Sequence, residues 1–233
     1  MDIVYNYAFD KALWDEKLAK DTRLEIIKLC ISQGAKGSYS NAIEIAIRQP
    51  NSDLLVEFLV EMGFDINVFE NSALILACMK NKTNLIKLLL THGADPSAQN
   101  NQPIIQCIAN DNLGCVKMLI DAGADPLEPL NRPFCRACQH HRLDIAIYLL
   151  ELGASYTEPS NEPICMAYQH SGGSELKRIL LDNGADPNSI YNKYCLLEHC
   201  LENCDLEGCK LLFEYGADIA LMKNAWANIH RTG

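Results

Sequence analysis

Long apolar runs and basic residues are both scarce in this sequence. No apolar run reaches the ~18 residues that a membrane-spanning helix needs, so we expect no membrane span or membrane partner. Residues 1–5 lack the basic and apolar regions of a secretory signal. Asp and Glu number 30 against 20 Lys and Arg, which gives a net charge of −10. Because an acidic chain repels phosphate backbones, nucleic acid is not an expected partner.

Motifs for phosphate binding and catalysis are also missing. Gly172 and Gly173 stand in a lengthened turn between two helical patterns, which indicates an insertion and not a phosphate loop. The two tryptophans are far apart and form no stacking platform. A Cys–His nucleophile pair would need an oxyanion hole and a substrate cleft, and no motif supplies either. We therefore predict a non-enzymatic protein without a cofactor.

Cysteine is plentiful, with 11 residues. The number is odd, and most of these residues fall inside helical apolar patterns. Cysteines of a disulfide scaffold would lie in the loops of a short secreted chain. The pattern instead predicts small hydrophobic side chains packed in a reducing compartment, which favours a cytoplasmic location.

Two cysteine groups leave an alternative open. Cys135 and Cys138 lie one helical turn apart with His140 and His141 close by, a spacing that zinc sites use. A denser group joins His199 to four cysteines: Cys195, Cys200, Cys204 and Cys209. A metal- or thiol-dependent function of the Cys195–Cys209 cluster is the alternative hypothesis. Core packing is the favoured interpretation of both groups, so we predict no metal site.

A glycine recurs along the chain after an apolar helical segment. Its positions are 34, 63, 93, 123, 153, 184 and 216, at spacings of 29 to 32 residues. In the clearest unit Pro103 begins one helix, Asn110–Asn112 form a turn, and Leu113 to Ala122 form a second helix that Gly123 ends. One supersecondary unit per period of about 30 residues is typical of a repeat solenoid.

An asparagine also repeats, just before each first helix. It stands at Asn71, Asn101, Asn131, Asn161 and Asn192. Asparagine at such a bend can cap the helix or adopt a left-handed conformation, and the sequence leaves both roles open.

These marks resemble ankyrin repeats across roughly residues 10–220. Residues 73–78 fit the start of the first helix, three prolines (103, 133 and 163) hold its proline, and Ile86, Leu89 and Leu90 fill the second helix. The resemblance implies an all-α ankyrin-repeat solenoid of about seven helix-turn-helix units with short hairpin loops. We expect one domain with an N-terminal cap, five repeats, a last repeat and a partial C-terminal cap that includes Trp226, unless the chain is cut from a longer one. Their ranges are 7–37, 38–66, 67–97, 98–127, 128–157, 158–189, 190–220 and 221–233.

The sequence departs from the family pattern in two ways. The Thr and His that start the family's first helix are missing, so their hydrogen bonds between loops are not expected. The glycine-to-proline distance is 10 residues, against about 13 in the usual unit, which shortens the projecting loop. Units with such short loops resemble those in ankyrin proteins of amoebal giant viruses and are similar to those of effectors from intracellular bacteria. Either source would imply action in the host cytosol.

The resemblance implies a module that binds a partner protein, a host protein in that case, on its concave face. Binding would use residues just before and within the first helices: Gln102, Gln106, Arg132, Arg136, Gln139, His140, Gln169, His170 and Tyr191. Arg132, Arg136 and His140 would form a basic spot on an acidic protein that we expect to be a monomer. A substrate adaptor of a ubiquitin ligase is a further alternative, although no F-box-like segment follows residue 220.

Overall fold

The computed structural model describes residues 2–15, 17–37, 41–50, 53–128, 130–158 and 160–222. Helices follow one another in pairs through these residues. In chain order they are α1 (Asp2–Trp14), α2 (Lys20–Ser32), α3 (Ala42–Arg48), α4 (Asp53–Glu61), α5 (Val68–Met79), α6 (Thr83–Thr91), α7 (Ala98–Ala109), α8 (Leu113–Asp121), α9 (Arg132–Gln139), α10 (Leu143–Glu151), α11 (Glu162–Ala167), α12 (Ser174–Asp182), β1 (Ile190–Tyr191), β2 (Tyr194–Cys195), α13 (Leu196–Glu202) and α14 (Leu206–Glu214).

The chain divides into two compact units. The first comprises Met1–Gln106 with Asp121–Gly123, and the second Cys107–Ile120 with Ala124–Gly233. In the first unit α1 packs on α2, α3 on α4 and α5 on α6, and the helices α1, α3 and α5 contact in succession. In the second unit α9 packs on α10 and on α11, α11 on α12, and α12 on α14. Each unit is therefore a stack of helical hairpins.

Every second helix buries the same stripe of its surface. In α10 the buried residues are Ile145, Ala146 and Leu149, and α6 repeats the stripe with Leu85, Ile86 and Leu89. Residues three and four apart share a helix face, so this stripe faces the hairpin's own first helix and its neighbours. Ten of the 11 cysteines are buried in this packing and all are free thiols; Cys204 is exposed.

The repeated glycine ends the second helices in a left-handed conformation. Gly153 has φ +101°, and the next residue, Ala154, donates its N–H to the carbonyl of Leu149 at 3.0 Å. This bond satisfies a carbonyl that the helix end would otherwise leave free. The chain then leaves the helix as an extended loop.

The repeated asparagine is left-handed as well. Asn131 and Asn161 have φ values of 59° and 57°, and neither side chain caps its helix. Their amides reach the next loop instead: Asn161 Oδ1 accepts from the N–H of Asp186 at 3.1 Å. Asn71 makes the same bond in the first unit, to Asp95 at 2.9 Å. We call these bonds of Asn71, Asn131 and Asn161 the asparagine ladder; each links neighbouring loops within one unit.

Two features differ from the sequence-based prediction. A short antiparallel hairpin, β1–β2, interrupts the all-helical pattern because Asn192 and Lys193 both adopt positive φ and form a tight turn. At the N-terminus α1 begins at Asp2, earlier than expected, and its outer face exposes four large hydrophobic residues: Ile3, Val4, Tyr7 and Trp14. The expected C-terminal cap at Trp226 lies outside the described residues. No described helix is both long and apolar enough to span a bilayer.

Candidate binding face

Three of the predicted binding residues lie on α9, and the next repeat has residues at the equivalent positions of α11 and the turn that follows it. The residues on α9 are Arg132, Arg136 and Gln139. The residues 30 positions later are Glu162, Met166 and Gln169. Because α9 packs directly on α11, the two sets lie side by side. All except Met166 are half-buried, so they present their polar ends at the surface.

These residues line a groove with a volume of about 320 Å³, which we call the arginine groove. Five of its lining residues were predicted from the sequence: Arg132, Arg136, Gln139, Gln169 and Tyr191. Four others complete it: Leu130, Cys135, Glu162 and Met166. Leu130 directly precedes the repeated Asn131, so its place at a loop tip was the signal that could have identified it.

A chain of hydrogen bonds crosses the groove from α9 to Gln169, just after the end of α11. Arg136 Nη1 donates to Gln139 Oε1 at 2.5 Å, and Gln139 Nε2 donates to Gln169 Oε1 at 2.7 Å. Gln169 Nε2 then donates to the sulfur of Met166 at 3.2 Å. Each amide both accepts and donates, which fixes its orientation. The guanidinium of Arg136 is thus oriented by one hydrogen bond, and its remaining N–H groups stay available.

The charges of the groove are unbalanced. Neither Arg132 nor Arg136 forms an ion pair with any described residue, although Glu162 lines the same groove. Burial, with a contribution from the charge of Glu162, raises the pKa of Cys135 to about 12. The Cys135 thiol is therefore protonated at neutral pH and forms part of the groove's apolar wall, not a nucleophile.

Two comparisons bear on the fold. Residues 43–129 match the family model of ankyrin repeats, in three copies. The solved structure of the human ASB11 ankyrin repeat domain matches with a TM-score of 0.66 at 21% sequence identity, covering 91% of this chain and 98% of that chain. The fold is that of ankyrin repeats. A search of curated proteins found no significant match.

Ankyrin repeats generally serve as protein–protein interaction modules, and the fold is typically a non-enzymatic scaffold. In the ankyrin hairpins of this chain, the arginine groove lies on first helices and on the segments that lead into them. The second helices supply the buried stripe.

The remaining predicted binding residues do not line the arginine groove. His140 and His170 are exposed at the ends of their hairpins. Burial, followed by the charges of Arg142 and Arg136, lowers the pKa of His140, so its ring is neutral at pH 7 and the expected basic spot consists of two arginines. Gln102 and Gln106 lie on α7 in the first unit, where Gln106 Nε2 donates to Gln102 Oε1 at 3.3 Å.

The members of the C-terminal cysteine cluster lie in different environments. Cys200 and Cys209 are buried together with their thiols hydrogen-bonded, and burial raises the pKa of both. Cys204 is exposed in the turn between α13 and α14, while His199 lies beside the carbonyl of Tyr191 at 3.3 Å. Within the described ranges, no group of three His, Cys, Asp or Glu side chains is placed to hold a metal ion.

Proposed function

We propose that this protein is a non-enzymatic module that binds another protein through the first-helix face of its second unit, with the arginine groove at the centre. The observation that carries the proposal is the pair of arginines without ion-pair partners among the described residues, set in a groove whose amides are already ordered. Arginine and tyrosine are favoured anchors in interfaces because they bury a large area and keep a polar end.

The neighbouring side chains suit the same role. Leu130 is 75% exposed at the rim of the groove, and Tyr191 of β1 forms part of its wall. An apolar residue beside hydrogen-bonding groups is the usual composition of an interface centre. The ten buried free thiols suit a reducing compartment, so we propose that binding takes place in the cytoplasm. The partner would be a host protein if the chain is of viral or effector origin.

Position-specific photo-crosslinking tests the proposal. p-Benzoylphenylalanine replaces Tyr191 in one variant and Tyr148 of α10 in the matched control; both tyrosines are half-buried, but Tyr148 lies on a second helix. In lysate of the natural cell we expect a discrete protein adduct from position 191 and none from position 148. An adduct from position 148 alone, or none from either position, would contradict the proposal.

A further inference from the structure

We propose that the arginine groove recognises one carboxylate side chain of the partner, flanked by an apolar side chain that packs on Leu130. This inference rests on the proposed function, because it states which chemical groups of a partner protein the groove accepts. The partner segment would thus contain Glu or Asp next to a residue such as leucine. Four features of the groove lead to this inference.

The first feature is the order imposed on Arg136. Its guanidinium donates to Gln139, which is itself bonded to Gln169, so the arginine is already oriented by a hydrogen bond before any partner arrives. An arginine without that bond would lose more conformational entropy on binding. A preorganised guanidinium with free N–H groups can donate to both oxygens of a carboxylate.

The second feature is the charge imbalance across the groove. Arg132 and Arg136 supply two positive charges, and no acidic side chain of the described residues lies within ion-pair distance of either. The whole protein carries −10, so an acidic partner meets a favourable potential only near such a local basic spot. Charge complementarity therefore favours an anionic group over a neutral or cationic one at this position.

The third feature is Glu162, which limits how much negative charge the groove accepts. It contributes one carboxylate to the same wall, so two arginines face one resident negative charge. A single incoming carboxylate leaves the groove neutral. A phosphate carries up to −2 at pH 7, so it costs more to desolvate than a carboxylate and its second charge is repelled by Glu162. The arrangement therefore favours an Asp or Glu side chain over a phosphorylated one.

The fourth feature is the conformation of Leu130. Its φ is 52° and that of Asn131 is 59°, so a leucine occupies the left-handed region that residues with a Cβ disfavour. The strain is maintained by the Asn131 amide, which donates to the carbonyls of Ser155 at 2.8 Å and Glu158 at 2.9 Å. The result is a leucine held in solvent beside two arginines, where an apolar partner residue can cover it.

Solution NMR with defined tripeptides tests the inference. The observed signals are the Nε–Hε resonances of the arginine side chains, and the probe is acetyl-Leu-Glu-Leu-amide. We expect a saturable shift of the Arg136 resonance, with a dissociation constant in the range of roughly 1–10 mM for so small a ligand. Acetyl-Leu-Gln-Leu-amide should shift it at least fivefold less at equal concentration, and the phosphoserine analogue should bind more weakly than the glutamate peptide.

Three variants separate the contributions. Arg136→Gln should abolish the saturable shift of the Arg132 resonance. Gln169→Leu removes the bond that positions Gln139, so it should weaken peptide binding about threefold while the spectrum remains that of a folded protein. Asparagine suits the left-handed backbone, so Leu130→Asn should keep the fold and weaken peptide binding by a similar factor. Any of three results would overturn the inference: no saturable shift, equal shifts with the glutamine peptide, or tighter binding of the phosphoserine peptide.

The two proposals can fail separately. If position 191 crosslinks a protein but the glutamate tripeptide produces no saturable shift, the carboxylate inference is wrong and the binding face stands. If position 191 gives no adduct, the proposed function is wrong whatever the tripeptide does. Saturable binding of the glutamate peptide that Arg136→Gln abolishes supports the carboxylate inference.

Discussion

The ring of His141 occupies the space where a side chain at residue 173 would begin. A Cβ on Gly173 would lie 2.6 Å from the His141 Cγ, whereas a Cβ on Gly172 would lie 3.9 Å from the nearest ring atom. The histidine is fixed there because its Nε2 lies 2.9 Å from the carbonyl oxygen of Ala167. Burial of this ring lowers its pKa, so it packs as a neutral imidazole at pH 7.

We therefore expect Gly173→Ala to destabilise the protein more than Gly172→Ala. Both glycines have positive φ, so both variants acquire backbone strain, and only residue 173 adds a clash. The clash should cost roughly 1–3 kcal/mol beyond the control, as overpacking does. Chemical denaturation of the two variants measures the difference. Equal stabilities would show that His141 moves aside freely.

This pair of glycines shows what the sequence could not reveal. Their position in a turn was evident from the surrounding helical patterns, which predicted an insertion. The reason for glycine at 173 lies in a histidine 32 residues earlier. Only packing of successive hairpins brings the two together, and no local pattern records that contact.

At the scale of the element, three of the repeated asparagines (71, 131 and 161) connect neighbouring loops within their own unit. Asn131 combines a left-handed backbone with two side-chain bonds to the following loop. The sequence placed this residue at the bend and left its role open. The structure assigns it the left-handed turn, with the side chain directed to the neighbouring loop and not to its own helix.

Paired substitutions at Asn131 separate these two contributions. Asn131→Gly keeps the backbone conformation and loses the bonds, which should cost about 1–2 kcal/mol. Asn131→Ala also adds left-handed strain and should cost about 1 kcal/mol more. Urea denaturation provides the measurement. Equal stability of the glycine variant and the natural protein would mean that the two bonds contribute nothing.

A buried ion pair connects α12 to the start of α14. Lys177 is fully buried, its Nζ lies 2.5 Å from Asp205 Oδ2, and it stands 4.5 Å from the centre of the Tyr168 ring. Asp205 also caps α14 by accepting from the N–H of Gly208 at 3.0 Å. Lys177 occupies the stripe position that Ile86 and Ala146 hold in other second helices, so the repeat pattern places it in the core. The pattern does not identify Asp205 as its partner.

Breaking this pair should be strongly destabilising. Lys177→Met leaves the Asp205 carboxylate buried without its cation, at a cost of about 3–5 kcal/mol. Asp205→Asn keeps a capping oxygen but removes the charge. In the double variant the loss should be smaller than the sum of the two single losses, by at least about 1 kcal/mol. Strict additivity in thermal or urea unfolding would argue against a coupled buried pair.

At the scale of the whole molecule, an acidic protein presents a small groove lined by two arginines. The glycine and asparagine periods predicted the repeats, and five of the residues that we proposed from them for binding line the groove. They could not predict the hydrogen bonds that order Arg136, because those depend on side-chain rotamers across two hairpins. They also missed the β1–β2 hairpin, since Asn192–Lys193 lacks the glycine that usually signals such a turn.

Charge reversal distinguishes the groove from the general charge of the protein. Arg132→Glu with Arg136→Glu should weaken binding of the partner crosslinked at position 191 by roughly 2 kcal/mol or more. The control, Lys87→Glu with Lys117→Glu, changes net charge equally on exposed second-helix positions and should have a much smaller effect. Isothermal titration provides both affinities. Equal weakening by the two double variants would indicate a nonspecific effect of charge.

Hydrogen–deuterium exchange with that partner bound tests the central claim most directly. We predict that binding slows amide exchange in residues 130–139, 160–169 and 190–199, which form and flank the arginine groove. Amides of the second helices α10 and α12 should exchange as in the free protein. Slowed exchange confined to α10 and α12, with the groove segments unchanged, would contradict the assignment of the first-helix face as the binding surface.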